Sequence, residues 1–221
     1  MATSGTTTFD LSIDDLVEEA FERCGMRMTG GYQLSSARRS LNLLFLDWAN
    51  RGLNLWTIEQ GTQALTAGDN SVSLGNDTVN VLSAVIRTGT GTSQQDVTID
   101  RISREEYLNL PNKNVQGRPS QIYVERSSTP TAYVYPAANG NYTLVYYRIR
   151  RIQDSGVYTN TTDINFRFLP CLVSGLAYQL ALKYAPDRIG LLKQVYEEDF
   201  MRASLEDRDT ASVRITPDVG M

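Results

Sequence analysis

Carboxylates are the most numerous charged groups in this sequence that could do chemistry. Glu18-Glu19, Glu105-Glu106 and Glu197-Glu198-Asp199 each place acids side by side. A glycosidase needs two such groups facing each other across the bond they cleave, and neighbours along a helix do not converge that way. The three clusters therefore read as solvated faces, with Glu198 placed to pair with Arg202 four residues on. Histidine is absent, which removes the commonest general base and metal ligand together. No Gly-x-Ser-x-Gly elbow is present, and a serine triad cannot be assembled without histidine. Gly89-Thr90-Gly91-Thr92-Ser93 has the composition of a phosphate loop, but no Gly-Lys-Ser/Thr follows and no helix is expected to open there. Cys24 and Cys171, the only cysteines, lie among apolar residues at helical spacing and read as small buried hydrophobes. No catalytic residue, metal site or cofactor is expected.

One segment mixes aromatic and basic residues. Tyr142, Tyr146 and Tyr147 stand with Arg148, Arg150 and Arg151, a composition suited to stacking on bases and neutralising phosphates. Tyrosine is also a good strand former, and Leu144, Val145 and Ile149 put apolar groups on both faces. A buried central strand is therefore expected, with arginines emerging at its end to meet a neighbouring subunit or passing DNA. The formal charge of −4 and pI of about 5.0 leave no basic excess for tight nucleic-acid binding. An acidic surface can still surround a duplex, repelling it so that it slides. Met1 to Thr8 has no basic region or apolar run of the secretory kind. No stretch approaches the roughly 18 apolar residues of a membrane helix, so the expectation is a soluble protein made in a cytoplasm.

The elements that position these residues follow from periodicity. Ser12-Ile13-Asp14-Asp15 has the form of a capping box. Ile13, Leu16, Val17, Ala20, Phe21 and Cys24 then make one buried helix face, and Gly25 suits a left-handed C-terminal cap. The spacing predicts a second helix over about 33–50, with Leu34, Ala37, Leu41, Leu44, Phe45 and Trp48 inward and Arg38, Asn42 and Asp47 away. After Leu55 the period becomes that of strands: Trp56 and Ile58, Val72 and Leu74, 79–86, 96–102, 121–126, 131–135 and 142–152. Ala137-Ala138-Asn139-Gly140 reads as a hairpin turn with Gly140 at positive φ. Helical spacing returns from Leu169 to Tyr184, and Pro186 opens a further helix to about Arg208. Neither helix pair can cover its apolar stripes alone, so the pairs are expected to pack together. The fold class expected is α+β: a four-helix core from 1–56 and 161–208, an inserted antiparallel β domain over 57–160, and an extended C-terminal tail over 209–221.

Several stretches together resemble the head-to-tail adaptor family of podophages, the head-closure or tail-tubular-A-type connectors. They are Ser36-Ala37-Arg38-Arg39-Ser40-Leu41-Asn42-Leu43-Leu44 through Trp48, Arg51-Gly52 and Leu55-Trp56, Val79-Asn80-Val81-Leu82 with Ile86-Arg87, and Ser103-Arg104-Glu105-Glu106-Tyr107. Gly117-Arg118-Pro119 before Tyr123 and Val124, Val134-Tyr135-Pro136, and the Leu176-Ala177 to Ala185 helix complete the set. The resemblance implies a structural virion protein and not an enzyme. It implies a homo-oligomeric ring, usually of twelve subunits, at the head-tail junction, assembled in the host cytoplasm. Its partners would be the portal protein, the tail nozzle protein and the double-stranded DNA in the channel, with no membrane. The C-terminal extension would reach the portal, and Val213, Arg214, Ile215 and Val219, helped by Arg208, are the residues expected to attach there; the composition of the tail itself leaves open a frayed terminus or strand addition that seats Val213 and Ile215 in a partner's pockets. Competing readings are a carbohydrate-binding or hydrolytic tail component, suggested by the tyrosines, and a DNA-binding module, opposed by the charge.

Overall fold

The computed structural model describes Gly5 and residues 11–52 and 55–206. Among these lie five α-helices: α1 (Ile13–Arg23), α2 (Gly31–Asn50), α3 (Arg104–Asn109), α4 (Leu169–Tyr184) and α5 (Ile189–Glu206). The strands are β1 (Ile58–Leu65), β2 (Ser71–Ser73), β3 (Thr78–Thr88), β4 (Gln95–Thr98), β5 (Asp100–Arg101), β6 (Gln116–Gly117), β7 (Gln121–Glu125), β8 (Thr131–Tyr135), β9 (Ala137–Ala138) and β10 (Tyr142–Arg150). The fold is α+β. The chain divides into a helical unit, reaching to Leu55 and resuming at Ile152, and a strand unit, Trp56–Arg151.

The helical unit is built around α4, whose sequence Leu-Pro-Cys-Leu-Val-Ser-Gly-Leu-Ala-Tyr-Gln-Leu-Ala-Leu-Lys-Tyr is apolar on nearly every side. A helix of that kind must be enclosed. Nine of its sixteen residues are buried, more than one stripe could account for, and α1, α2 and α5 all pack on it. Gly175 lets two of them approach: a Cβ there would lie 2.8 Å from the Tyr196 ring and 2.9 Å from Leu44 Cδ2. Beside it Trp48, fully buried, donates its indole N–H to the Tyr196 hydroxyl at 2.9 Å, joining α2 to α5 across 148 residues of sequence. Phe168 and Phe200 complete the aromatic cluster, at 5.7 and 6.2 Å from the Trp48 ring. Lys183 reaches from α4 to α2, where Nζ donates to Ser40 Oγ at 2.7 Å and Ser36 Oγ at 3.0 Å, which gives both buried serines a partner.

Local signals set the ends of α1. The Ser12 hydroxyl accepts from the Asp15 amide at 3.2 Å, and the Asp15 carboxylate accepts the Ser12 amide in return. At the other end Gly25, at φ +72°, donates to Glu22 and Met26 donates to Phe21, the paired bonds of a Schellman cap. Two further first-turn amides, those of Ile13 and Asp14, donate to the carbonyls of Asn160 and Tyr158 at 3.0 and 3.3 Å. The Ser155 amide donates to Asn42 Oδ1 of α2 at 2.9 Å. These bonds hold residues 152–165 in the helical unit, although that segment has no helical periodicity. They also give Asn42, expected to face away from the core stripe, a structural role.

The strand unit contains two four-stranded sheets, ordered β1-β10-β3-β4 and β2-β8-β7-β5. Inward residues of both, Leu65, Val81, Ile86, Leu144 and Tyr146 from the first and Ile122, Val124, Ala132 and Val134 from the second, share one core. The long ladders are antiparallel; β5 with β7 and β6 with β9 are short parallel pairs. The stretch expected as one strand over 96–102 changes sheet at the buried Ile99: β4 pairs with β3, then β5 with β7. Residues 137–140 are not the expected hairpin turn. β8 pairs with β7 and β2 while β10 pairs with β1 and β3, so this segment crosses between sheets. Ala137-Ala138 is itself a short buried strand, and Gly140 is not among the glycines at positive φ. α3 was not anticipated, although Ser103 and Glu106 form a second capping box of the same pattern that located α1.

Two outcomes follow for the helical unit. Trp48→Ala lowers unfolding stability by about 3–5 kcal/mol in denaturant titration, the cost of emptying a large buried site; a change near zero would mean that α2 does not pack on the core through this face. Burial pushes the Cys171 thiol and the Tyr196 hydroxyl each up to about 12. Between pH 9 and 12 the unfolded chain releases protons that the native chain keeps, so stability is intact below this window and falls as pH rises through it. Thermal melts at pH 8 and 11 should show the loss, and Tyr196→Phe with Cys171→Ala should flatten the pH slope.

Candidate interaction surfaces

The groups able to do chemistry are spent on structure. Glu19 pairs with Arg23 at 2.8 Å, and Glu106 caps α3 by accepting the Ser103 amide at 2.6 Å. Glu197 meets Arg51 at 3.3 Å. Arg202 pairs with Asp199 and not with Glu198 as the spacing suggested; Glu198 accepts from Gln194 instead, at 2.9 Å. Both cysteines are buried and unbridged, and Cys24 Sγ donates to the Ala177 carbonyl at 3.2 Å. Among the described residues no cluster of three or more His, Cys, Asp or Glu side chains is arranged to hold a metal.

β10 is the interior strand its composition suggested, flanked by β1 and β3. Its first arginine, however, does not emerge. Arg148 is 15% exposed and bonds to Glu59 Oε1 at 2.9 Å, Asp77 Oδ1 at 2.7 Å, the Leu74 carbonyl at 2.8 Å and Thr78 Oγ1 at 2.6 Å. Burial alone would lower its pKa, but the Glu59 and Asp77 carboxylates outweigh burial and hold it above its ordinary value. Arg150 shares Glu59, at 3.4 Å. An arginine expected to meet DNA or a neighbour instead ties β1, β10 and the β2–β3 turn together.

The tyrosines behave similarly. Tyr107 from α3, Tyr123 from β7 and Tyr133 from β8 pack on one another, with centroids 5.2, 5.3 and 5.9 Å apart. Arg104 Nε donates to the Tyr123 hydroxyl at 2.9 Å, and Lys113 stands 5.4 Å over Tyr107. Tyr123 stacks on both other rings while Tyr107 and Tyr133 are tilted at 38°, and ring faces turned to one another are withdrawn from stacking on a sugar or a base. The adjoining cleft, about 330 Å³ between Arg101, Ser103, Arg104 and Tyr123, has its Arg101 guanidinium bonded to the Val81 carbonyl and Asn80 Oδ1 at 2.9 and 3.0 Å.

The remaining prominent surfaces lie on the helical unit. A groove of about 830 Å³ runs between α1 and the start of α4, lined by Leu11, Asp15, Glu19 and Arg23 on one side and by Phe166, Leu169, Pro170 and Val173 on the other. On α2 a stripe opposite the buried face exposes Tyr32, Leu43 and Leu46 at 77, 62 and 61%. The inward stripe was legible in the sequence, the outward one was passed over; Leu43 and Leu46, apolar residues off the core face, were its signal. Arg208, Val213, Arg214, Ile215 and Val219 lie outside the described residues.

A family model described as SU10 adaptor protein matches residues 12–218, covering both helix pairs and the strand unit between them. The chain belongs to the SU10 adaptor protein family. No curated protein matches it. The adaptor is thus a phage structural protein of the virion that interacts with other virion proteins. Among the described residues no helix is long and apolar enough to cross a membrane.

If Arg148 is a strut of the adaptor's strand unit, Arg148→Gln costs about 2 kcal/mol of stability, a figure reduced for the solvent exposure of its two carboxylate partners. Weak duplex DNA binding by the same variant, followed against salt, should be unchanged. Retained stability with lost DNA binding would return Arg148 to a recognition role.

Proposed function

We propose that the chain is a podophage-type head-to-tail adaptor: copies form a ring, of twelve subunits by the resemblance, between portal and tail nozzle, with packaged DNA passing through the centre. The family match over residues 12–218 carries this reading. The helical unit and the C-terminal segment would meet the portal. The strand unit would project toward the nozzle, and closing the connector would retain the genome.

Charge placement supports it. Trp56–Arg151 holds nine Lys and Arg residues and eight Asp and Glu residues, a net of +1, so the remainder carries −5 of the chain's −4. α1 contributes most, with five carboxylates against Arg23. Repeated around a ring, such charge repels a duplex and lets it slide. Many copies engaging portal at once give tight attachment from moderate single contacts. Assembly in the host cytoplasm, on a portal already in place, follows from that arrangement.

The test is removal of residues 209–221. The shortened chain should melt within about 2 °C of the full one, a shift expected when no core residue is lost, and its binding to portal rings should fall at least about tenfold. Equal portal binding by both chains would remove Val213, Arg214, Ile215 and Val219 from the portal contact.

A further inference from the structure

The α1–α4 groove and the exposed α2 stripe are two halves of one contact: we infer that the groove of each subunit receives the α2 stripe of the next copy of this chain. This rests on the ring reading above and assigns the residues that would close the ring.

Three observations single out this occupant. The groove has an apolar floor, where Phe166 is 55% and Leu11 37% exposed, and a charged edge formed by Asp15, Glu19 and Arg23, spaced four apart along α1. Such an i, i+4 row accepts the row of another helix. The α2 stripe supplies one, in Ser35, Arg39 and Leu43, with Tyr32 and Leu46 extending it to about 21 Å at 1.5 Å per residue. The stripe is apolar apart from Ser35 and Arg39, and Arg39 has no ion-pair partner among the described residues.

Charge then decides between candidate occupants. Glu19 is matched by Arg23 within its own helix, so Asp15, with Glu18 and Glu22 exposed beside it, leaves the α1 edge acidic and complementary to Arg39. An exposed apolar row on α5, Leu191, Met201 and Leu205, carries Glu198 and Arg202 among its exposed residues, but Arg202 is already paired with Asp199, so this row brings the acidic edge no unmatched cation. Residues 207–221 hold three aspartates and two arginines, a net negative segment that would set like charges together.

None of the groove's lining residues belongs to α2, so a subunit can use both patches at once. A contact between two different patches is heterologous, and it propagates head to tail until rotation closes a ring. An isologous pairing through either patch alone would stop at a dimer.

The experiment uses the full-length chain in sedimentation velocity, alone and with portal rings. Phe166→Glu and the double variant Leu43→Glu/Leu46→Glu alter exposed side chains only, and circular dichroism and melting temperature check that both remain folded. Each variant alone should need at least about tenfold higher concentration than the unaltered chain to assemble, the loss expected for an anchor at an interface. An equimolar mixture should form dimers and stop there, because one variant keeps a sound stripe and the other a sound groove. Rings formed by either variant at the original concentration would overturn the assignment while leaving the adaptor reading intact. A synthetic peptide of residues 207–221 that binds the groove and blocks assembly would overturn the second copy as occupant. Failure of the unaltered chain to associate under either condition would overturn both readings.

Discussion

Everything in the helical unit depends on enclosing α4. A sixteen-residue helix with so little polar surface cannot stand at the edge of a protein in water, and neither α1 with α2 nor α5 alone covers it. The solution joins segments more than a hundred residues apart, with Trp48 and Tyr196 sharing a hydrogen bond beside Gly175, where no side chain holds α2 and α5 away. Long-range closure of this kind brings Leu55 and Ile152 into one unit and leaves the intervening chain to fold as another. The buried indole N–H and phenol satisfy each other, so the aromatic cluster carries little polar penalty.

The same economy governs many polar groups among the described residues. Groups with catalytic potential are used as caps, struts and strand clamps: Asp15 and Glu106 at helix starts, Arg148 across three strand segments, and the tyrosines against one another. Among the described residues the α1–α4 groove and the α2 stripe leave apolar surface exposed, and such surface suits a protein partner. Membership in the SU10 adaptor protein family agrees with that inventory.

Much of this was legible in the sequence where signals are local. Ser12 and Asp15 start α1, Gly25 ends it, and three-four spacing picked out the buried faces of α1, α2 and α4. The composition of 142–151 revealed an interior strand. Pairings set by distant residues were not legible. Ala137-Ala138 resembles a turn until β8 and β10 are seen in different sheets, and Arg148 resembles a surface cation until Glu59 and Asp77 meet it from residues 89 and 71 positions away. Residues 152–165 have no periodicity, since their role is to accept α1 amides through backbone carbonyls, for which any side chain serves. Val213 and Ile215 lie outside the described residues, and the role proposed for them rests on resemblance.

The most direct test of the account is amide hydrogen exchange on the full chain under native conditions. Its core claim is that the two separated helix pairs form one cooperative body around α4 while the strand unit stands as another. Interior amides of α1, α2, α4 and α5 should then exchange through a common opening, with the same free energy and the same dependence on denaturant, and the β10 ladder should follow its own. Exchange in which α1 and α2 open together while α4 and α5 stay protected would contradict it, since the two pairs would then be independent bodies and the enclosure of α4 would not be what holds the adaptor together.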